Sequence, residues 1–148
     1  MSDTILKLIP IKPDFIPAKE KQEQASLFIN SIFKGDQIET ILNEDVEFVD
    51  QGSGFESVSC NYCGANINME VWQEGMNKAY ETQFTDLTFI TPCCSKTTSL
   101  NDLLYYQPAG FAKFIVSISN PKENILTDDL DELQKILGTE LKIVWAHY

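Results

Sequence analysis

The sequence predicts an α+β fold: a mainly antiparallel sheet, helices packed on one face, and a zinc-knuckle insertion. Three observations predict it. Stretches with helical and strand periodicity are interspersed along the 148 residues, a length that suits one domain or one domain with a small extra lobe. The last third reads strand, helix, strand, which places a helix across a sheet. Four cysteines stand in two close pairs, Cys60/Cys63 and Cys93/Cys94, a pattern that reads as a metal site before it reads as a disulfide framework.

The elements follow in order. Residues 1–17 carry Pro10, Pro13 and Pro17 among apolar Ile5, Leu6, Leu8 and Ile9. Proline lacks a donor and fixes φ, so an extended arm or an edge segment is expected. From Ala18 to Phe33 the period is helical, with Ala25, Ile29, Ile32 and Phe33 on one face and Gly35 as its stop. A short second helix is expected around Ile38, Ile41 and Leu42. Val46–Val49 reads as a strand, Gln51-Gly52-Ser53-Gly54 as a turn, and Glu56–Ser59 as a strand leading into Cys60. Met69–Tyr80 sets Met69, Trp72, Met76 and Ala79 on one side of a helix whose weak spot is Gly75. Phe84–Thr91 has strand composition throughout. Phe111–Ser119 is a strand that Asn120-Pro121 ends. Thr127 is the expected N-cap of a helix with Asp128 and Asp129 in its first turn, where the dipole favours negative charge. Leu130, Leu133, Ile136 and Leu137 form its buried stripe, Gly138 closes it, and Leu141–Tyr148 is the final strand. This divides the chain into residues 1–44, an N-terminal arm and helices that pack on the main domain, and residues 45–148, the zinc-knuckle α+β domain.

Composition narrows the function. Eleven Lys, no Arg and 22 acidic residues give a net charge of −11, a poor design for gripping a phosphate backbone. No apolar run approaches the roughly 18 residues of a membrane span. The start has no charged segment followed by an apolar core, so no secretory signal is read there and a cytoplasmic location is expected. In that compartment thiols stay reduced.

Cys60-Asn61-Tyr62-Cys63-Gly64-Ala65 is a knuckle: a two-residue gap lets a tight turn aim both sulfurs at one point, and Gly64 permits positive φ. Aligning Cys63-Gly64-Ala65 with Cys94-Ser95-Lys96 sets Thr91 opposite Cys60 and Cys93 opposite Tyr62. Cys94 is then the safer ligand, and Cys93 reaches the metal only if the chain turns after Pro92. Zinc held by Cys60, Cys63, Cys93 and Cys94 is the leading reading. Three cysteines with another ligand, for which the lone His147 is a candidate, free or buried thiols, and a disulfide, including a vicinal Cys93–Cys94 one, are the alternatives. Four protein ligands leave no open coordination position, so such a zinc is structural.

Other candidates are weaker. Ser99, Asn101 and Asp102 read as a capped turn, and less strongly as a ligand site beside Tyr105 and Tyr106. His147, the only histidine, is expected to be partly buried beside Leu141, Ile143 and Trp145. Trp72, Trp145, Met69 and Met76 are expected in the core. Asp36, Glu39, Glu44, Asp45, Glu47 and Asp50 form a solvated acidic face or meet a basic partner. No phosphate-binding glycine loop, nucleophile elbow, zincin helix or calcium loop is present.

Several runs of this chain carry a family resemblance: Cys60-x-x-Cys63-Gly64-Ala65, Phe84-Thr85-Asp86-Leu87-Thr88, Thr91-Pro92-Cys93-Cys94 and Ser99-Leu100-Asn101-Asp102-Leu103-x-Tyr105. The pattern continues through Pro108-x-Gly110-Phe111-Ala112-Lys113-Phe114, Asn120-Pro121, and Leu137-Gly138 to Ala146-His147-Tyr148. Together they resemble a family of small bacterial zinc-ribbon-like proteins without a settled function. The resemblance spans residues 45–148 and departs from the ribbon pattern at Asn61, where proline is common. It implies a metal-stapled cytoplasmic domain and brings no catalytic residue.

Two function classes follow. The first is a non-enzymatic module, stabilised by structural Zn2+, that docks a protein partner, with basic partners favoured by the charge. The second is a small-molecule-binding protein or enzyme with a pocket near Asn101, Asp102, Tyr105 and His147. Neither nucleic acid nor a membrane is an expected partner.

Overall fold

A computed structural model of the chain describes residues 3–33, 37–53 and 55–148. Gly35 and Asp36, and the Gly54 end of the expected turn, lie outside the described residues. Four strands make the main sheet: β1 (Thr4–Pro10), β2 (Gln37–Val49), β7 (Gly110–Ser119) and β8 (Leu141–His147), in the order β2-β7-β1-β8 and antiparallel throughout. Helix α1 (Lys19–Ile32) connects β1 to β2, and α3 (Thr127–Leu137) connects β7 to β8. Each helix links two strands that run the same way with a third strand between them. This is the βαββαβ arrangement of the ferredoxin-like, or split βαβ, type. Between β2 and β7 lies an insertion: β3 (Val58–Ser59), α2 (Met69–Tyr80), β4 (Thr88–Ile90), β5 (Thr97–Ser99), a 3-10 turn (Leu100–Asp102) and β6 (Leu104–Tyr105).

The sheet corrects the expected N-terminal arm. β1 is paired on both sides, with β7 and with β8, so it is a central strand. Its prolines do not forbid this, because Pro10 is its last residue and Pro13 and Pro17 follow it. The ladder to β8 runs from Thr4 opposite His147 to Pro10 opposite Leu141, and Asp3 and Tyr148 extend it by exchanging main-chain bonds of 3.0 and 2.9 Å. The boundary after residue 44 falls inside β2.

The second helix is also corrected. Ile38, Ile41 and Leu42 lie in β2, opposite Ile118, Ile115 and Phe114 of β7. Their i, i+3, i+4 spacing mimics a helical stripe, yet Ile38-Glu39-Thr40-Ile41 is equally good strand sequence, and the apolar partner strand decides. Phe84–Thr91 is a strand only over Thr88–Ile90. Gln83 and Phe84 take positive φ, of 54° and 58°, in the turn after α2. Helix α3 begins at Thr127 with Leu126 as its cap residue and no side-chain capping bond, one residue from the expected start.

Both connecting helices lie on one face. Leu6 and Leu8 of β1, Phe114, Val116 and Ile118 of β7, and Leu141 of β8 meet Ala25 and Ile29 of α1 and Leu133 and Leu137 of α3 in one cluster. Each fully buried aliphatic side chain there stabilises the fold by about 1.5–3 kcal/mol relative to exposure.

The other face is covered by the sheet itself. The register of β2 on β7 shifts between Leu42 and Glu47, and such irregularities bend a strand. Val49 still pairs with Gly110 of β7, yet Gly52, three residues on, bridges to His147 on β8 at the opposite edge. Three residues span only about 10 Å, so the end of β2 must curl across the helix-free face. Ile9, Val49, Ala112, Ile115 and Val144 form the small core in that fold. Gly52 has φ +62°, and a Cβ there would overlap the His147 carbonyl oxygen. The insertion has a third core, in which Trp72, Met76, Ala79, Phe89, Leu100 and Tyr105 meet Phe111 at the start of β7. Met69, expected in that core, is exposed.

Candidate metal centre

Two hairpins of the insertion carry the cysteines, and their turns are built alike. In the first, the Cys60 N–H donates to Ala65 O at 2.9 Å and the Gly64 N–H donates to Cys60 O at 2.9 Å. In the second, the Thr91 N–H donates to Lys96 O at 2.9 Å and the Ser95 N–H donates to Thr91 O at 2.9 Å. Gly64 and Ser95 hold the same left-handed position, with φ of 78° and 55°. The alignment of Thr91 with Cys60 is therefore a hydrogen-bonded equivalence. In the second turn a hydroxyl replaces a thiol, and Thr91 Oγ1 lies 3.2 Å from Cys94 Sγ.

The hairpins grip each other through the residues between the first two cysteines. The Thr98 hydroxyl donates to Asn61 Oδ1 at 3.2 Å, and the Tyr62 hydroxyl donates to Thr97 O at 3.3 Å. The Lys96 ammonium sits 5.4 Å above the Tyr62 ring. The Asn61 that departs from the ribbon pattern thus supplies an acceptor that proline would lack.

All four sulfurs converge, lying within 4.8 Å of one another. Cys60 and Cys94 are 3.7 Å apart, Cys63 and Cys93 3.3 Å, and Cys93 and Cys94 3.9 Å. Four thiolates at about 2.3 Å from one tetrahedral centre stand about 3.8 Å from each other. The donor set and its spacing therefore fit a divalent metal ion. The same distances answer the disulfide alternative: every cysteine is free, and a bonded pair would be at about 2.05 Å. Cys93 and Cys94 both reach the cluster, because the chain turns after Pro92. Cys60 is buried, Cys94 half-buried, and Cys63 and Cys93 exposed, so the cluster has an inner and an outer side.

Its electrostatics are uneven. Burial pushes the Cys60 thiol up, but the main-chain N–H groups of Cys63 and Tyr62 and the thiols of Cys93 and Cys94 outweigh it and bring it down to about 6. The Tyr62 N–H stands 3.3 Å from the Cys60 sulfur. Cys93 is pushed up to about 12, first by its hydrogen bond with Cys63, then by burial and the other two thiols. A metal ion entering the cluster finds one sulfur already prepared as thiolate and must displace the Cys93 proton, so its affinity rises with pH.

The remaining sequence candidates separate. Asn101 is structural: its amide donates to Ile11 O at 3.0 Å and its side-chain oxygen accepts from the Phe111 N–H at 3.0 Å. The Ser99 hydroxyl oxygen accepts from the Asn101 N–H, which is the capped turn. Tyr105 donates to Leu100 O at 2.7 Å and accepts from the Trp72 indole at 3.3 Å. Asn101, Asp102 and Tyr105 do line one cavity. His147 is not in it. Its ring stands 3.4 Å from the Thr4 hydroxyl at the other end of β8. It is exposed, not partly buried as expected. It is also absent from the sulfur cluster, which removes the three-cysteine-and-histidine alternative.

Lys142 was missed and lines the same cavity. Alternation from Val144 and Ala146, both buried, sets it on an inward face, a signal that the sequence carries.

The fold and the cluster together define a small α+β protein with a candidate four-thiol metal centre. Compared with known proteins, the chain matches no family model, no curated protein and no solved structure. No helix among the described residues is long and apolar enough to cross a membrane.

Proposed function

We propose that the chain is a cytoplasmic zinc protein in which Cys60, Cys63, Cys93 and Cys94 hold one structural Zn2+, and that it acts as a docking module for a basic protein partner. The convergence of four sulfurs from two matched turns carries this reading. Thiolates select soft and borderline metals, and a closed four-sulfur set suits zinc in a structural role. Resemblance to bacterial zinc-ribbon-like proteins points the same way. Glu39, Glu44, Asp45 and Glu47, exposed along β2 at the sheet edge, support a basic partner. With four thiolates and one Zn2+ the formal charge becomes about −13. Asp102 and His147 stand apart, so they give an enzyme no shared catalytic constellation.

Elemental analysis of protein purified without added metal tests the metal. Close to one zinc per chain is expected, and His147→Ala is expected to leave it unchanged. A folded, metal-free protein with four titratable thiols refutes the reading. Capture of a basic partner from the native host, lost on Glu39→Lys with Glu47→Lys, tests the docking role.

A further inference from the structure

We infer that the cavity between the insertion and the main sheet binds a small carboxylate bearing an apolar group, with the Lys142 ammonium as its anchor. The cavity holds about 490 Å³ and is lined by Ile11, Leu103, Leu104, Tyr105 and Pro108, among others. That volume is within the range of small-molecule sites, and such sites favour seams between units. Its walls come from the return path of the insertion, from the chain just after β1, and from the start of β8.

The polar groups in this lining have different standing. The Asn101 side chain is spent on Ile11 O and Phe111 N, and the Tyr105 hydroxyl on Leu100 O and Trp72. Lys142 is not satisfied in the same way. Its Nζ donates to two neutral carbonyls, Ala109 O at 3.2 Å and Asn101 O at 3.4 Å. An ammonium has three donors, so one N–H remains, and carbonyls do not cancel its charge. Burial disfavours its charged form, and Asp102, which also lines the cavity, favours that form through space. A half-buried ammonium that has one donor unused and a carboxylate acting on it only through space gains from a direct anionic partner, and an incoming carboxylate supplies that contact and the missing acceptor. The amine lies close against Gly110, where a Cβ would come within 3.1 Å of Lys142 Nζ and 3.0 Å of Ile9 Cδ1. Leu104 and Ile11, 55% and 41% exposed, give the apolar part of the ligand a surface to cover.

The probes are benzoate, its neutral isostere benzamide, and benzylammonium, each titrated into the purified, metal-loaded protein and followed by amide NMR shifts. Benzoate is expected to bind with a Kd near 1 mM or tighter, and benzamide about tenfold or more weakly, the ratio one charge-assisted hydrogen bond gives. Shifts are expected to centre on Leu103–Ala109 and Lys142. Lys142→Met keeps the apolar stem and should bring benzoate down to the level of benzamide. Leu104→Ser, at an exposed position, should weaken both and keep their ratio. Equal affinity for benzoate and benzamide, preference for benzylammonium, shifts centred elsewhere, or no binding by any probe would overturn the inference. The comparison of the three probes needs no variant, so it decides even if Lys142→Met fails to fold.

Discussion

Thr91 shows how one residue sets the character of the cysteine cluster. It occupies in the second turn the place that Cys60 holds in the first, and Cys93 supplies the fourth sulfur from the position of Tyr62. By this equivalence, Thr91→Cys should make Cys93 dispensable. The double variant Thr91→Cys/Cys93→Ser is expected to keep one metal equivalent, while Cys93→Ser alone loses at least about tenfold in affinity, since a ligand of the closed set is gone. Competition against a chromophoric chelator reads both. That Cys93 falls opposite Tyr62 rather than opposite Cys60 was legible from the alignment of the two turns. The hydroxyl contact from Thr91 to Cys94 was not, because a rotamer and a distance settle it.

A second residue-scale prediction concerns Tyr148. Its hydroxyl donates to Asp50 at 2.9 Å and accepts from the Lys7 ammonium at 2.7 Å. Burial first, then the Asp50 carboxylate, push the phenol up to about 12. The folded state thus favours the protonated phenol. This contribution to stability is full below the ordinary value of about 10 and is lost as pH rises through about 12. Asp50→Asn is expected to shift the phenol's titration back toward the ordinary value, as read from phenolate absorbance. An unmoved titration would place the cause elsewhere.

At the scale of elements, α2 and β2 teach opposite lessons. Gly75 reads in the sequence as a weak spot of a helix, where alanine should gain up to about 1 kcal/mol. In the fold it is a contact: a Cβ would stand 2.7 Å from the ring of buried Phe89. Overpacking of this kind costs about 1–3 kcal/mol, so Gly75→Ala is expected to be net destabilising by about 1 kcal/mol, measured as a lower urea midpoint at unchanged slope. β2 was misread for a physical reason. An edge strand with one solvated face spaces its apolar residues loosely, and only the pairing with β7 resolves the period. β7 itself, buried on both faces along most of its length, and α3, with its clean stripe, were legible because each carries its pattern alone. The order β2-β7-β1-β8 was not legible, since every link in it joins residues distant in sequence.

For the whole molecule, the separation of cores matters most. The cluster around α1, α3 and the sheet shares no residue with the core of the insertion. If the proposed metal staples the insertion, its removal should therefore loosen the two parts unequally. Hydrogen exchange after chelation is expected to rise by about tenfold or more across residues 58–105, while amides of β1, β7 and α3 keep most of their protection. Uniform loss of protection would mean that the insertion and the sheet unfold as one unit. The grouping of the four cysteines was legible from spacing alone, whereas the cavity beside Lys142 was not, because it exists only where the returning insertion meets β8.

The pairing of Asp3 with Tyr148 gives the molecule a mechanical character. Tension applied at these two residues acts on the open end of the β1–β8 ladder, perpendicular to its strands. The bonds are then loaded one pair at a time, from Thr4 and His147 toward Pro10 and Leu141, as in a zipper. A ladder loaded along its strands would resist with all its bonds at once; this one cannot share the load, and the edge strand β8 is peeled from β1, which stays paired with β7.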